Sequence, residues 1–401
     1  MSVGIGNVAF IESSYTGAGV ECIEHVLRRG LQPVLLTRNP SQYAFLRSSP
    51  VHVATCDTRS LSDVTKCLSD IRPLLGVGTT DEYSVHTSAT VARSLSMAGP
   101  DPQAARACRN KRIMREILSS ELNPRWAVVR SVASIEAAAL RYPIVVKPVN
   151  LTGGALVRMC ATRDEAEAHI SRIRTRGESD STPRGTEILA EEYIEGEEFS
   201  AEFMDGKLLG ITRKHLFPGA GFVEAGHDFP VPPGERAQGL VAKAAESALA
   251  KLNAVWGPIH MELRCGENGV KVIEVNGRLP GDRIPRLIEL STGFSMTSSF
   301  VDRLLGGPRL GSVAAASRGA AIRMWRVATP AILSAVRGLD EVKHAPNVVT
   351  AEFAGMVGHR YNPQHSNLDR IGHLITVGTN AHEAAAHADA ANRLLRLSWN
   401  G

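Results

Sequence analysis

The sequence predicts a multidomain protein that combines an α/β domain with α+β domains. The first hundred residues alternate short apolar runs with helical patterns, which is the order of a parallel βαβ sheet. From about residue 125 to 305 the pattern changes to paired strands joined by short turns, which predicts antiparallel sheets. A length of 401 residues is enough for several domains of about 100 to 200 residues each.

Composition and charge exclude several classes of partner. The formal net charge is +4 and aromatic residues make up 5% of the chain, so neither a strong positive charge nor stacking side chains point to nucleic acid. No run approaches the roughly 18 apolar residues that span a bilayer. These features predict a cytoplasmic protein without a nucleic-acid or membrane partner. We expect reduced thiols and no zinc site, because no C-x-x-C pair occurs among Cys22, Cys56, Cys67, Cys108, Cys160 and Cys265.

The N-terminal segment has the pattern of a parallel sheet with a glycine turn after its first strand. Strands are predicted at 8–11, 33–37, 52–56 and 74–80, and a helix at about 19–30. The turn contains Gly17 and Gly19, but Cys22 stands where a G-x-G-x-x-G dinucleotide motif has its third glycine. We interpret the turn as a tight strand-to-helix connection and not as a nicotinamide site.

The most informative segment contains two strands around the turn GENG at 266–269, which predicts a hairpin. A three-residue loop pairs Gly266 with Val270 and sets Glu262 opposite Glu274. A two-residue loop instead sends these two carboxylates to opposite faces of the hairpin. The metal site predicted from Glu262 and Glu274 requires the three-residue loop.

Facing carboxylates on this hairpin predict a metal site. Glu262 and Glu274 repel each other unless a positive charge lies between them, and Asn276 shares their face. Two carboxylates and an amide oxygen suit Mg²⁺ that also keeps waters and nucleotide phosphates. The alternative is a solvated sheet face on which the carboxylates pair with Arg264 and Lys271.

Two further segments carry features of a nucleotide site. An apolar strand ends at Lys147 and is followed by the turn 152–154, where a lysine and backbone N–H groups can hold phosphate oxygens. In ILAEEYIEGEEFSAEFM, backbone groups at 192–194 can hold a flat base and Glu198 can bind ribose hydroxyls. The alternatives are an ordinary hairpin with a solvated lysine and an acidic hairpin without a ligand.

Taken in order, these segments resemble the ATP-grasp superfamily and, within it, the carboxylate-amine ligases that join amino acids into dipeptides. The resemblance covers nearly the whole chain. It implies a Rossmann-like N-terminal domain at 1–108, a two-part ATP-grasp fold at 109–309 and a small C-terminal α+β lobe at 310–401.

The resemblance also implies ATP and Mg²⁺, with two ions, as cofactors. Lysines would contact the phosphates, a lid loop would cover them, a hinge would hold the adenine and a carboxylate the ribose. The residues that match these ATP contacts are Lys111, Lys147, Thr152, Gly153, Gly154, Glu191, Glu192, Tyr193, Ile194 and Glu198. The residues that match the magnesium ligands are Glu262, Glu274 and Asn276.

Arg278 matches the catalytic arginine that steadies the substrate carboxylate and the transferred phosphoryl group, together with Lys147. A guanidinium fork suits both anions. The alternative for Arg278 is a structural ion pair with Asp282 or Glu289.

The substrate side of the site is also implied by the resemblance. The run FVEAGHDFP is similar to the substrate loop of the dipeptide ligases, which places Glu224 and His227 beside the amino acid. Glu82 ends a predicted strand and is expected to contact a substrate amine. His260 follows the strand pattern as well, although a lone histidine on a sheet is more often structural.

The activity implied is ATP-dependent amide or peptide bond formation through an acyl phosphate, with release of ADP and phosphate. The substrates are small molecules, an amino acid and an amine or second amino acid, and family analogy suggests a homodimer. Two alternatives stay open at this point. One is an ATP-grasp carboxylase or other small-metabolite ligase, and the other is a nucleotide-binding regulator without turnover.

Overall fold

The structure is a computed structural model that describes residues 6–15, 17–175, 187–219, 221–363 and 366–401. Its N-terminal part is a parallel sheet in the order β3-β2-β1-β4 with helices on both faces. The elements are β1 (Asn7–Ile11), α1 (Ala18–Arg28), β2 (Gln32–Thr37), β3 (His52–Thr55), α2 (Leu61–Ser69), β4 (Leu74–Gly78) and α3 (Val85–Ser94). Strand β1 is apolar throughout because both faces of a parallel sheet are covered. The predicted strands and helix agree with these bounds to within two residues.

A second sheet follows, with four antiparallel strands in the order β5-β8-β6-β7. Helices α6 and α7 pack on it around Ile135, Ile144 and Ile170. The elements of this part are α4 (Pro102–Arg109), α5 (Lys111–Ile117), β5 (Trp126–Val129), α6 (Val132–Ala137), β6 (Ile144–Pro148), β7 (Arg158–Cys160), α7 (Arg163–Thr175) and β8 (Ile188–Glu192).

The largest sheet begins with five antiparallel strands in the order β13-β12-β9-β10-β11. Helix α8 covers one face of it, where Val241, Leu249, Phe199 and Leu263 are fully or almost fully buried. The elements are β9 (Glu197–Met204), β10 (Lys207–Leu216), β11 (Glu224–Phe229), α8 (Arg236–Leu252), β12 (Pro258–Gly266), β13 (Gly269–Asn276), α9 (Ile284–Thr292) and α10 (Met296–Leu304).

The C-terminal part continues this sheet without a break. Strand β14 pairs with β11, and β18 and β16 follow, so that the sheet has eight strands in all. It therefore runs across the boundary predicted at 309/310. The elements are β14 (Gly319–Arg326), β15 (Ala331–Arg337), α11 (Leu339–His344), β16 (Val348–Phe353), β17 (Arg360–Tyr361), β18 (Arg370–Gly378), α12 (Ala381–Asn392) and β19 (Arg396–Asn400).

Helices α9 and α10 join the N-terminal sheet to the large sheet. Leu287 and Phe300 on these helices share one apolar core with Phe10 of β1 and Ile322 of β14. The N-terminal sheet and the large sheet therefore share one apolar core. Within the described ranges, no helix is long and apolar enough to span a bilayer. All six cysteines are free thiols, three of them buried.

Candidate active site

The hairpin of β12 and β13 sets Glu262 directly opposite Glu274, and His260 opposite Asn276. The two carboxylates face each other as predicted, but the loop length on which that prediction was based was wrong. The loop has two residues, because Gly266 pairs with Gly269 and not with Val270. A β-bulge lies between the pairs Leu263–Val272 and Glu262–Glu274, where β13 has the extra residue Ile273. The bulge shifts the register by one residue and so brings Glu274 opposite Glu262.

Each carboxylate of this pair holds a buried lysine from another element. Lys111 Nζ, at the start of α5, lies 2.8 Å from Glu274 Oε1. Lys214 Nζ, on β10, lies 2.7 Å from Glu262 Oε1. The alternative from the sequence, in which Glu262 and Glu274 pair with Arg264 and Lys271 on a solvated face, is not found among the described contacts. Lys271 instead donates to the backbone carbonyls of residues 120 and 121.

Asn276, Glu82 and Arg278 form the next part of the cluster. With its amide nitrogen turned toward the carboxylates, Asn276 donates to Glu82 Oε2 at 3.0 Å and to Glu274 Oε1 at 3.3 Å. Arg278 Nε donates to Glu82 Oε2 at 2.5 Å. The predicted alternatives for Arg278 are not its partners, since Asp282 binds Arg370 and Glu289 binds Arg286. Glu82, which the N-terminal sheet contributes, is thus in direct contact with the hairpin.

Two residues that were predicted to bind different halves of ATP are bonded to each other. Lys147 Nζ lies 2.8 Å from Glu191 Oε2, and both side chains are almost completely buried. Arg115 makes a bidentate pair with the same carboxylate, at 2.8 and 3.1 Å. Burial alone would raise the pKa of Glu191, but the two cations lower it to about 2. Burial lowers the pKa of the Lys147 ammonium.

The segment predicted to bind the base follows β8 and packs against the end of β12. Glu192 accepts the backbone N–H of Arg141, and the N–H of Tyr193 donates to Pro143. Ile194 lies near Gly266. Only glycine fits at Gly196, because its φ is +135° and a Cβ would lie 2.1 Å from a backbone oxygen of β12.

The predicted lid loop is a turn held from below by the N-terminal end of α5. Gly153 and Gly154 both have positive φ, with open space where a Cβ would stand. Lys111 Nζ donates to the carbonyl of Leu151 at 2.7 Å, and the backbone of Thr152 bonds to Tyr83. The lysine that holds Glu274 therefore also holds the loop.

Lys214 is the centre of a second cluster. Its Nζ lies 2.5 Å from Glu224 Oε1 and 3.3 Å from Glu198 Oε1, besides its contact with Glu262. Burial alone would lower the pKa of this ammonium, but the three carboxylates hold it well above its usual value. The predicted ribose carboxylate, metal ligand and substrate-loop carboxylate are thus joined through one side chain.

Glu224 and His227 meet Asp282 in the wall formed by the C-terminal strands. His227 Nε2 lies 3.3 Å from Asp282 Oδ2, and Arg370 of β18 binds Asp282 through two contacts of 2.7 and 2.6 Å. Burial, together with the neighbouring Asp282, raises the pKa of Glu224 to about 8 in spite of Lys214. One side-chain ligand atom from each of Glu224, His227 and Asp282 lies within 4.8 Å of the other two. Lys214 and Arg370 already neutralise the two carboxylates, which disfavours a metal ion there.

His260 is fully buried between two carboxylates. Its Nδ1 lies 2.9 Å from Glu202 Oε2, and its Nε2 lies 3.3 Å from Glu262 Oε1. Burial alone would lower the pKa of the imidazole, but the two carboxylates raise it to about 10. His260 therefore carries a positive charge at neutral pH and orients Glu262.

The chain is similar to known protein families and to solved structures. Residues 140–286 match the ATP-grasp domain, and residues 323–400 match the L-amino acid ligase C-terminal domain 2. The crystal structure of the L-amino acid ligase from Bacillus licheniformis superposes with a TM-score of 0.84 at 23% identity, over 100% of both chains. The chain contains an ATP-grasp domain.

Two sequence relatives of this chain extend the comparison. The D-alanine–D-alanine ligase of Clostridium perfringens is 27% identical over 199 residues, which are 47% of this chain and 62% of the relative. The uncharacterized protein y4rH of Sinorhizobium fredii is 27% identical over 374 residues, or 92% of this chain and 77% of the relative. Enzymes of the superfamily use ATP and a divalent metal ion.

The oxygen donors of the hairpin fit such an ion. Glu262 and Glu274 supply carboxylates, and Asn276 supplies an amide that can turn its oxygen toward them. All three lie at one end of the hairpin with buried cations beside them, and such cations can also receive nucleotide phosphates.

Sequence reasoning missed two residues of this candidate site, Lys214 and Arg370. Lys214 stands in the run TRKHL between two basic neighbours, where nothing marks it as the buried member. Lys214 is paired with His227 across β10 and β11, a register that only the structure shows. Arg370 comes from the far end of the chain, and no local pattern connects it to Asp282.

Proposed function

We propose that this chain is an ATP-grasp ligase that joins a carboxylate substrate to an amine through an acyl phosphate, with release of ADP and phosphate. The preferred substrates are an amino acid and an amine or second amino acid. The observation that carries the proposal is the convergence of Lys111, Glu274, Asn276, Glu82 and Arg278 from three parts of the chain into one set of contacts of 2.5 to 3.3 Å.

The proposed reaction has two steps. A carboxylate oxygen of the first substrate attacks the γ-phosphorus, and the bond from that phosphorus to the ADP oxygen breaks. The amine then attacks the acyl carbon, phosphate leaves, and the amine gives up a proton as the amide forms. Both steps place negative charge on phosphoryl and carbonyl oxygens, so that fixed cations are what the protein has to supply.

The side chains of this chain divide that work by position. Lys111 and Lys147 would take the phosphates, with Lys111 also holding the loop at 152–154 over them. Arg278 would hold the substrate carboxylate and the phosphoryl oxygens through its guanidinium fork, and Glu82 fixes its orientation. Bound Mg²⁺, held by Glu262, Glu274 and Asn276, would neutralise further charge on the phosphates; two ions are expected.

The surface formed by Glu224, His227, Asp282 and Arg370, here called the substrate wall, would recognise the amino acid. Glu224 and His227 lie on β11 beside Asp282 and Arg370, so that both charge signs are available to an ammonium and a carboxylate. The presence of the L-amino acid ligase C-terminal domain 2, whose strand β18 supplies Arg370, supports amino acids as the substrate class.

The test is release of ADP and phosphate by the purified protein with ATP and Mg²⁺ across all pairs of the common amino acids. Mass spectrometry should find a product equal to the sum of two substrates less water. Release that depends on bicarbonate without an amine would support a carboxylase instead. ATP binding without release for any pair would contradict the proposal for amino acids.

A further inference from the structure

Arg264 is a buried arginine in the segment that the proposed function gives to the nucleotide. It lies on β12 two residues after Glu262, hence on the same face, and opposite Glu198 on β9. Its side chain is 9% exposed. The guanidinium carbon lies 4.9 Å from the centre of the Tyr193 ring, which it covers.

Two of the three guanidinium nitrogens of Arg264 are buried and have no hydrogen-bond acceptor among the described residues. Nη2 donates to the carbonyl of Gly196 at 3.2 Å. Nε lies 3.8 Å from Glu198 Oε2, beyond hydrogen-bond distance, and neither Nε nor Nη1 has an acceptor among the residues that the structure describes. Buried donors without acceptors are unfavourable, so such groups usually meet a ligand or water.

Arg115 shows what a structural arginine looks like in this chain. It is fully buried, and its Nε, Nη1 and Nη2 donate to the Glu191 carboxylate and to the carbonyls of Val272 and Ile273, at 2.8 to 3.1 Å. Each nitrogen of Arg115 is therefore used inside the protein. Arg264 has a similar degree of burial and leaves two of its three nitrogens unused.

We propose that Arg264 binds the ribose of the nucleotide, donating from Nε to a hydroxyl oxygen whose proton goes to Glu198. This inference rests on the proposed ATP site. A ribose hydroxyl is both donor and acceptor, and Glu198 can only accept, so that a cation beside Glu198 completes the pair of contacts. The ring of Tyr193 holds the guanidinium plane in place for this contact.

The chemistry of the surroundings favours ribose over phosphate as the partner of Arg264. Glu198 stands beside it at 3.8 Å, and a carboxylate would repel a phosphate while accepting from a hydroxyl. The phosphate cations Lys111 and Lys147 lie elsewhere, on Glu274 and Glu191. Arg264 therefore belongs to the nucleoside half of the site.

The test compares ADP with 2′,3′-dideoxy-ADP in calorimetric binding to the wild type and to R264M. The wild type should bind ADP more tightly, and R264M should reduce the ratio of the two affinities by about tenfold, the value of one charge-assisted hydrogen bond. A general weakening of the fold would lower both affinities and leave their ratio unchanged.

Controls separate this inference from the proposed function. K271M removes a cation directly across from Arg264 on β13, at an exposed position, and should keep the wild-type ratio. R264K serves if R264M fails to fold, and should reduce the ratio because an ammonium lacks the planar fork. A wild-type ratio in the Arg264 variants overturns the inference, whereas absence of ADP binding by the wild type overturns the ATP site itself.

Discussion

Lys111 Nζ lies 2.8 Å from Glu274 Oε1, so that a residue predicted to bind phosphate is bonded to a residue predicted to bind metal. Lys214 stands in the same relation to Glu262 at 2.7 Å. Each predicted metal ligand thus already has a cation. Mg²⁺ arriving with ATP brings phosphates that the lysines can bind in exchange, whereas a free ion has to displace two ammonium groups.

Replacing Glu274 by glutamine should abolish turnover while the protein stays folded. The amide still accepts a hydrogen bond from Lys111, but it lacks the charge that holds a divalent ion. We expect a loss of at least about a hundredfold in kcat, measured by ADP release. E267Q changes an exposed glutamate in the turn of the same hairpin and should behave as the wild type. Unchanged ADP release by E274Q would rule out the metal assignment.

Replacing Lys214 by methionine should destabilise the protein strongly at pH 7.5. Glu198, Glu224 and Glu262 would then face one another without their shared cation, at a cost of about 3 to 5 kcal/mol. The loss should shrink at pH 5, because carboxylates without a cation take up protons more easily. Urea unfolding at both pH values measures this.

The control for Lys214 is K207M, which changes an exposed lysine at the start of the same strand. It should cost little at either pH. An equal free energy of unfolding for the two variants would show that the buried cluster does not depend on Lys214.

The imidazole of His260 should remain protonated until the pH is far above neutral. Its pKa of about 10 exceeds the ordinary value of 6.5, so its contribution to stability is fully present below pH 6.5 and is lost between pH 6.5 and 10. For one proton that loss amounts to about 1.4 kcal/mol per pH unit. An NMR titration of the histidine ring signals reads the pKa directly.

E202Q provides the matched variant for this titration. Glu202 is the carboxylate that raises the pKa of His260 most, so the midpoint should move to lower pH in E202Q. A midpoint near 6.5 in the wild type would contradict the ion pairs described for His260.

Replacing Arg278 by lysine should lower turnover with little change in ADP affinity. Lysine keeps the charge but cannot hold Glu82 and a substrate anion through one planar fork. We expect a fall in kcat of about a hundredfold for the substrate pair found in the screen. R286K, at a half-exposed position of α9 beside Glu289, is the control. Turnover within twofold of the wild type would exclude a catalytic role for Arg278.

Much of the fold followed from local patterns. The apolar strands of the N-terminal sheet and the hairpin at 266–269 are determined by neighbouring residues, and their predicted bounds hold. The register of the hairpin was right at Glu262 and Glu274 but wrong at the turn, where Gly266 pairs with Gly269, because no local pattern specifies the bulge between these pairs. The continuation of the large sheet into β14 is a pairing between distant segments, which no local pattern specifies.

The candidate site, like the fold, could be predicted only in part from the sequence. Carboxylates and lysines at strand ends could be chosen from the sequence, and the structure brings Lys111, Glu274, Asn276 and Arg278 together with Glu82. The partners of these side chains in the protein could not be predicted, since Glu191 lies against Lys147 only once β6 and β8 have paired. Their roles with nucleotide and substrate stay predictions.

The unbroken eight-stranded sheet limits how the cleft can open. Strand β14 is paired with β11 from Gly226 to Phe229, and β11 carries His227. The C-terminal strands therefore cannot swing away from the substrate wall without breaking backbone hydrogen bonds. Sheet β5-β8-β6-β7 has no strand pairing with the large sheet within the described ranges, so movement of this smaller sheet and its loop at 152–154 would break none of the strand pairings described.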